Sequence, residues 1–218
     1  MSIITKNIEA DTTLIAVSKT HPITKIRKIF EQGIQNFGEN RVQEFLEKYE
    51  ELSDLDIRWH FIGNLQRNKV KKVIGKVSLI QSIDSVALYQ KLVSECKKRD
   101  IVQDCLLQIN VSNESQKGGF ALADLSDTIA ELVQYDSTYA PIKGLMCIGS
   151  NIKQLSEDTI INEFDQMNRV FLELKEKYSF SYLSMGMSGD YILAQKHGSN
   201  MVRVGSLLFG GRELCTQK

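Results

Sequence analysis

Lys19 closes the run Leu14-Ile-Ala-Val-Ser-Lys-Thr, an apolar stretch of strand length that ends in an amine. A lysine at the end of a buried strand sits where low dielectric disfavours the ammonium. The neutral amine is the nucleophile that attacks an aldehyde to give a Schiff base. The same residue types also allow a plainer role, a lysine that snorkels to solvent or pairs with a carboxylate. Ser18-Lys19-Thr20 copies the tail of a P-loop, but the upstream glycines of that motif are missing, which excludes it. A second set of polar residues lies far along the chain. Ser184-Met-Gly-Met-Ser188 and Val202-Arg-Val-Gly-Ser206 both combine hydroxyls with glycine at the end of a short apolar run. Small residues let backbone N–H groups approach an anion, so Ser184, Ser188, Gly205 and Ser206 suit a phosphate. Ordinary strand-to-helix turns favour Gly and Ser as well, and position has to decide.

The background is neutral. Among 218 residues, 27 Lys and Arg balance 27 Asp and Glu, with 42% hydrophobic and 25% charged residues. That balance is globular and lacks the clustered positive field of a general nucleic-acid binder. The basic stretch from Arg67 to Lys76 reads as the wet face of a helix. Apolar runs of six or seven residues fall far short of the roughly 20 needed to cross a bilayer. The first residues show no charged segment leading into an apolar one, so no signal peptide is expected. Cys96, Cys105, Cys147 and Cys215 form no CxxC pair, and Cys105 and Cys147 sit in apolar runs as reduced, buried thiols should. The triplets at Asn110 and Asn113 resemble glycosylation acceptors but carry no weight without secretion. A cytoplasmic protein that binds neither membrane nor nucleic acid is expected.

The elements that must position these residues alternate regularly. Apolar runs of strand length occur at Leu14–Lys19, Asn36–Glu39, Arg58–Gly63, Ser78–Ile83, Cys105–Val111, Gly144–Gly149, Tyr182–Met185 and Met201–Val204. Seven helical segments separate them, with clear three- and four-residue periodicity in Ile23–Gln32, Val86–Arg99, Ala121–Val133 and Ile160–Tyr178. Gly33 is a plausible C-cap for the first. Strict alternation predicts a parallel sheet, and eight units predict a single (β/α)8 TIM barrel spanning residues 1–218. A doubly wound open sheet is the alternative. Only thirteen residues precede the first strand, so a helix closing the barrel floor has to be short. Barrels of this kind work at the C-terminal ends of their strands. Lys19, Asn40, the Gly63–Leu65 turn, Ser82, Asn110, Gly149, Ser184 to Ser188 and Gly205-Ser206 all fall there. An amine after the first strand then faces a phosphate cup after the seventh and eighth.

At this point the chain resembles a known family. Ala16-Val-Ser-Lys-Thr20, Phe37-Gly-Glu-Asn-Arg-Val-Gln-Glu44, Trp59-His-Phe-Ile-Gly63, Leu65-Gln-Arg-Asn-Lys69, Gly144-Leu-Met146, Leu183-Ser-Met-Gly-Met-Ser188, Val202-Arg-Val-Gly-Ser206 and Phe209-Gly210 are similar to the YggS/PROSC family of pyridoxal 5′-phosphate-binding, or pyridoxal phosphate homeostasis, proteins. They follow the family's order from residue 14 to 212. The resemblance implies a barrel like that of alanine racemase, with Lys19 as the Schiff-base lysine and Arg203 by the pyridine nitrogen. It further implies Ser184, Ser188, Gly205 and Ser206 around the phosphate, Asn40 near the ring and His60 close to the mouth. Two departures stand out: Asn64 replaces a frequent proline, and the segment before the first strand is short.

Catalysis by pyridoxal phosphate needs a protonated ring, usually sustained by a carboxylate at the ring nitrogen. Arg203 can only donate, so beside that nitrogen it weakens the electron sink. A racemase also needs a second proton carrier, which alanine racemases take from a β-rich domain of a partner subunit. The sequence runs only six residues past Arg212, which leaves no expectation of such a domain here. Tyr49, Tyr89, Tyr135 and Tyr178 lie in helical stretches, where packing explains them. The expected function is therefore a monomeric, non-catalytic protein of pyridoxal phosphate homeostasis, with cofactor-dependent apo-enzymes as the partners to expect. A weak or specialised racemase and a barrel that holds a sugar phosphate through Lys19 are the alternatives.

Overall fold

The computed structural model describes residues 5–112, 114, 117–150 and 156–210. Asn113, Cys215 and everything past Gly210 lie outside them. Eight parallel strands close into a barrel: β1 (Thr13–Val17), β2 (Asn36–Glu39), β3 (Arg58–Phe61), β4 (Leu79–Ile83), β5 (Cys105–Asn110), β7 (Ile142–Cys147), β8 (Tyr182–Met187) and β9 (Met201–Val204). They pair in that order. Closure comes from β9 on β1, with Ile15 opposite Arg203, and from β4 on β5, with Ile80 opposite Cys105. The seventh and eighth barrel strands are thus β8 and β9. All eight expected strands form, and the open sheet is excluded.

The connecting helices bury the stripes their periodicity marks. In α1 (Ile23–Phe30), Ile26 and Ile29 are buried. The chain then turns at Gly33, whose φ of +92° costs a glycine little. Helix α2 (Val42–Glu51) buries Phe45 and Lys48. A 3-10 turn at Arg67–Lys69 runs into the short α3 (Val70–Val73), with Lys71 and Lys72 in solvent as the wet-face reading requires. Helix α4 (Val86–Arg99) has the expected bounds. The 22-residue α6 (Glu157–Tyr178) starts three residues early, because Ser156 accepts the Thr159 N–H at 3.3 Å and acidic residues fill its first turn. Helix α7 is Tyr191–Lys196 and α8 is Ser206–Phe209.

One segment departs from its expected form. The helix expected over Ala121–Val133 is α5 (Leu125–Leu132), and Phe120–Ala121 instead form a two-residue strand, β6, beside Ile109 and Asn110 of β5. Gly119 permits this. Its φ is +134°, and a Cβ there would lie 2.9 Å from the Asn110 nitrogen and the Gln108 oxygen, so only glycine lets the chain lie so close. At the N-terminus, the short element is a 3-10 turn at Thr5–Asn7. It is tied to α7 by Glu9 N–H donating to Gln195 Oε1 at 2.9 Å and Gln195 Nε2 donating to Asn7 O at 3.2 Å.

Inside the barrel, Ile15, Leu79, Leu106, Met146 and Met201 form an apolar plug, with Tyr182 packed against it. Strand side chains on one face recur every second residue. Two residues on from Leu79, Tyr182 and Met201 stand Gln81, Ser184 and Arg203, so a polar layer lies above the plug. Above that opens the mouth.

Candidate functional site

A cavity of about 670 Å³ occupies the C-terminal ends of the strands. Lys19, Asn40, Ser188, Arg203, Gly205 and Ser206 all line it. Ser184 and His60 do not. Both are buried inside the barrel, one layer beneath the mouth.

Lys19 is presented by a tightly fastened turn. The chain leaves β1 at Ser18, whose N–H donates to Gly38 O at 3.1 Å and whose hydroxyl donates to Glu39 Oε1 at 2.6 Å. The ammonium of Lys48, on α2, donates to Ser18 O at 2.8 Å and to Glu39 and Glu44 at 2.7 Å each. Thr20 takes a positive φ of 65°, costly for a β-branched residue, and its N–H is held by Glu44 Oε1 at 2.5 Å. Next, His21 stacks on Phe209 of α8 with ring centroids 4.7 Å apart. Lys19 itself is half-buried, and among the described residues its amine has no hydrogen bond or ion pair. A second cavity lysine differs. Lys117 donates to Ser112 Oγ, Glu114 Oε1 and Gly149 O, so its three protons are committed.

Asn40 is held in place by close packing. A Cβ on Gly63 would fall 2.1 Å from Asn40 O, so the loop after β3 lies directly on that backbone. Asn64, at the position of the frequent proline, instead donates to Asp84 Oδ2 at 3.3 Å and ties two loops of the mouth together.

The opposite wall consists of loops after β8 and β9. Asp190 caps the first, accepting the Met187 N–H at 2.6 Å, and burial pushes its carboxyl above the usual range. That turn aims Ser188 at the cavity, where its Oγ accepts the Gly205 N–H at 3.1 Å and joins the loops. Ser206 follows, exposed at the rim.

Arg203 is 4% exposed. Its Nη1 donates to Ser184 Oγ at 2.6 Å and its Nη2 to Cys147 O at 2.7 Å, and both partners are neutral. Burial pulls the guanidinium below its ordinary value, while the nearby Asp190 and Cys147 act weakly the other way. His60 touches no part of the mouth. Its Nδ1 meets Gln81 and its Nε2 meets Asn36, and burial pushes its pKa down to about 4.

Among the described lining residues there are three cations, Lys19, Lys117 and Arg203, and no Asp or Glu. A net-neutral chain has concentrated positive charge in one concave site. Such a site fits an anion that also carries an aldehyde: a partnerless amine on one wall, hydroxyls and glycine backbone on the other. Pyridoxal phosphate has that chemistry. Lys117, Gln108, Gln81 and the Glu39–Lys48 pair went unrecognised in the sequence. Only Gln81 left a signal, as a polar residue in the inward phase of the run Ser78–Ile83.

Comparison with known proteins agrees with this geometry. The family described as alanine racemase, N-terminal domain, matches residues 1–213. A pyridoxal phosphate homeostasis protein of Aquifex aeolicus is 41% identical over 204 residues, covering 92% of this chain and 87% of that one. The Escherichia coli protein of the same name is 35% identical over 208 residues, covering 92% and 86%. Among solved structures, PipY of Synechococcus elongatus with PLP bound superposes with a TM-score of 0.85 at 35% identity, covering 95% of this chain and 96% of that one. Alanine racemase of Clostridium difficile, at 17% identity and TM-score 0.77, covers 97% of this chain but only 58% of its own, and supports the fold alone. With the family model matching residues 1–213 and relatives of 35% and 41% identity each covering 92% of it, the chain belongs to the family of pyridoxal phosphate homeostasis proteins.

Proposed function

We propose that this chain binds pyridoxal 5′-phosphate, holds it as a Schiff base on Lys19 and serves intracellular homeostasis of that cofactor. The observation that carries this reading is the Lys19 amine, without a partner among the described residues, in a cavity whose described lining holds no carboxylate. The cofactor supplies a reactive aldehyde and a ring able to take up electrons. The chain's own residues do the rest. The Ser18–Thr20 turn aims the amine, and Ser188 and Ser206 offer hydroxyl donors to the phosphate beside the Gly205 backbone, whose N–H rests on Ser188 Oγ. Asn40 borders the ring, and Arg203 brings a cation to the pyridine side. Ser184 acts from beneath, through Arg203, and His60 does so at two further removes, through Gln81 and Ser184.

Turnover is not part of this reading. The described lining contains no tyrosine, cysteine or carboxylate that could carry a proton on the face away from Lys19. His21 is stacked on Phe209 and belongs to the Lys19 wall. In this reading the chain acts in the cytoplasm as one barrel domain of residues 1–218. It is a monomer that hands cofactor to dependent apo-enzymes. No described helix is long and apolar enough to cross a membrane.

The test is a titration with pyridoxal phosphate, followed by absorbance, of the parent chain and Lys19→Ala. The parent develops a stoichiometric Schiff-base band. The variant binds without it and keeps its fold, because a half-buried turn lysine contributes little packing. A full band in Lys19→Ala contradicts the assignment. Exchange of the L-alanine α-proton in deuterated water at roughly 1 s⁻¹ or faster would promote the racemase reading.

A further inference from the structure

Arg203 is the first link of a buried hydrogen-bond chain that crosses the barrel. Ser184 Oγ accepts from Arg203 Nη1 at 2.6 Å and donates to Gln81 Oε1 at 2.7 Å. Gln81 Nε2 meets His60 Nδ1 at 3.1 Å, and His60 Nε2 meets Asn36 Oδ1 at 3.2 Å. Ser184 and Gln81 are 0% exposed and His60 5%.

The direction of this chain follows from one fact: a guanidinium donates and never accepts. Ser184 must therefore spend its own proton on Gln81 Oε1. That leaves Gln81 presenting its amide N–H to His60, so Nδ1 must be a bare lone pair. The imidazole proton is then on Nε2, pointing at Asn36 Oδ1. The reverse order would leave the Ser184 proton, fully buried, with no acceptor. Every dipole along the chain thus turns its negative end towards Arg203. The cation is stabilised with no carboxylate among its hydrogen-bond partners, Asp190 acting on it only through space, and its charge stays available to whatever enters the mouth.

We propose that His60, Gln81 and Ser184 are positioning residues, which orient the Arg203 fork and preserve its free charge for the bound cofactor without touching that cofactor. The inference rests on the reading of the cavity as a pyridoxal phosphate site. The arrangement gives each variant a distinct expectation. Gln81→Leu removes the acceptor behind Ser184 and the donor to His60. Gln81→Glu places a carboxylate where it neutralises the arginine. His60→Leu removes the acceptor facing Gln81, whereas His60→Asn returns an oxygen at the position of Nδ1 and keeps the link to Gln81 while giving up only the bond to Asn36.

The experiment measures pyridoxal phosphate affinity and the absorbance spectrum of the bound cofactor across pH for the parent and all four variants. Ligand-free melting temperatures are measured alongside. We expect Gln81→Leu and His60→Leu to bind about tenfold more weakly, the upper scale of one lost hydrogen bond between neutral groups. Gln81→Glu shifts the spectrum towards that of a protonated ring, and His60→Asn stays within about twofold of the parent on the same scale. Parent-like affinity and spectrum in Gln81→Leu and Gln81→Glu would overturn the inference while leaving the cofactor reading intact. So would an equal loss in His60→Leu and His60→Asn that tracks their melting temperatures, since packing alone predicts that. Failure of the parent chain to bind pyridoxal phosphate would instead remove the underlying reading.

Discussion

Lys48 and Arg203 are both buried cations beside the same cavity, and they are held in contrary ways. Lys48 is 6% exposed and lies against two carboxylates, Glu39 and Glu44, and the carbonyl of Ser18. Its charge is cancelled inside the protein, and what remains is a clamp on the Lys19 turn. Arg203 is 4% exposed and touches only a hydroxyl and a carbonyl. Its charge is supported by dipoles, and the nearby Asp190 carboxyl makes no hydrogen bond to it. Burial alone therefore does not mark a functional cation; the presence or absence of an internal counter-charge does. The same contrast separates Lys19, with no partner among the described residues, from Lys117, with three.

The contrast breaks most visibly at Lys48. Lys48→Met leaves the fully buried Glu39 without its cation, and loss of one partner of a buried pair costs about 3–5 kcal/mol. Urea denaturation of the ligand-free protein measures it. A loss under about 1 kcal/mol would mean the clamp is ornamental. Ser188→Ala combined with Ser206→Ala tests the far wall. Hydrogen bonds to a charged group contribute roughly 1.5 kcal/mol or more each, so cofactor affinity falls by about 3 kcal/mol, even though loss of Ser188 Oγ frees the Gly205 N–H. Unchanged affinity removes the phosphate cup. Arg203→Leu should do the reverse of Lys48→Met. It orphans a hydroxyl and a carbonyl but no hydrogen-bonded carboxylate, so ligand-free stability falls by about 1–3 kcal/mol while cofactor binding collapses. A variant that unfolds like Lys48→Met would erase the distinction.

Acid gives the gentlest test, because the two networks answer it with opposite sign. His60 titrates near 6.5 when unfolded and about 4 when folded, held neutral first by burial and then by the charge of Arg58. Between those values only the unfolded chain takes up the proton. Stability from this site therefore falls as pH drops from about 6.5 to 4, by about 1.4 kcal/mol per unit. Glu39 is shifted up by burial against the pull of Lys48, so in the window above about 4.5 the folded chain takes the proton first. Acidification through that window favours folding at Glu39 and opposes it at His60. Urea midpoints of His60→Asn against the parent between pH 4 and 7 isolate the first; a parallel pair of curves contradicts it.

The sequence carried the barrel because the barrel is local. Each strand is a short apolar run, each helix a periodic stripe, and their alternation leaves few closures. Lys19, Arg203 and the Ser-Gly loops were legible because they sit at strand ends, where barrel geometry assigns a function to position. What stayed hidden was long-range and polar. Glu39 and Lys48 lie nine residues apart on a strand and a helix. Gln81 reaches Ser184 across 103 positions. No periodicity encodes such partners, so the depth of Ser184 and His60, one layer below the mouth, became visible only with the strands in register. Phe120–Ala121 misled for a related reason: their pairing with β5 depends on how closely Gly119 approaches another strand.

The most direct measurement of the central claim is to load the purified protein with pyridoxal phosphate, reduce it with borohydride and map the labelled peptide. The account predicts a single pyridoxyl group per chain, on Lys19. Label on Lys117 or spread over the exposed lysines of α3 and α4 would contradict it, because the amine that reacts would then be one the fold has already paired or left in solvent.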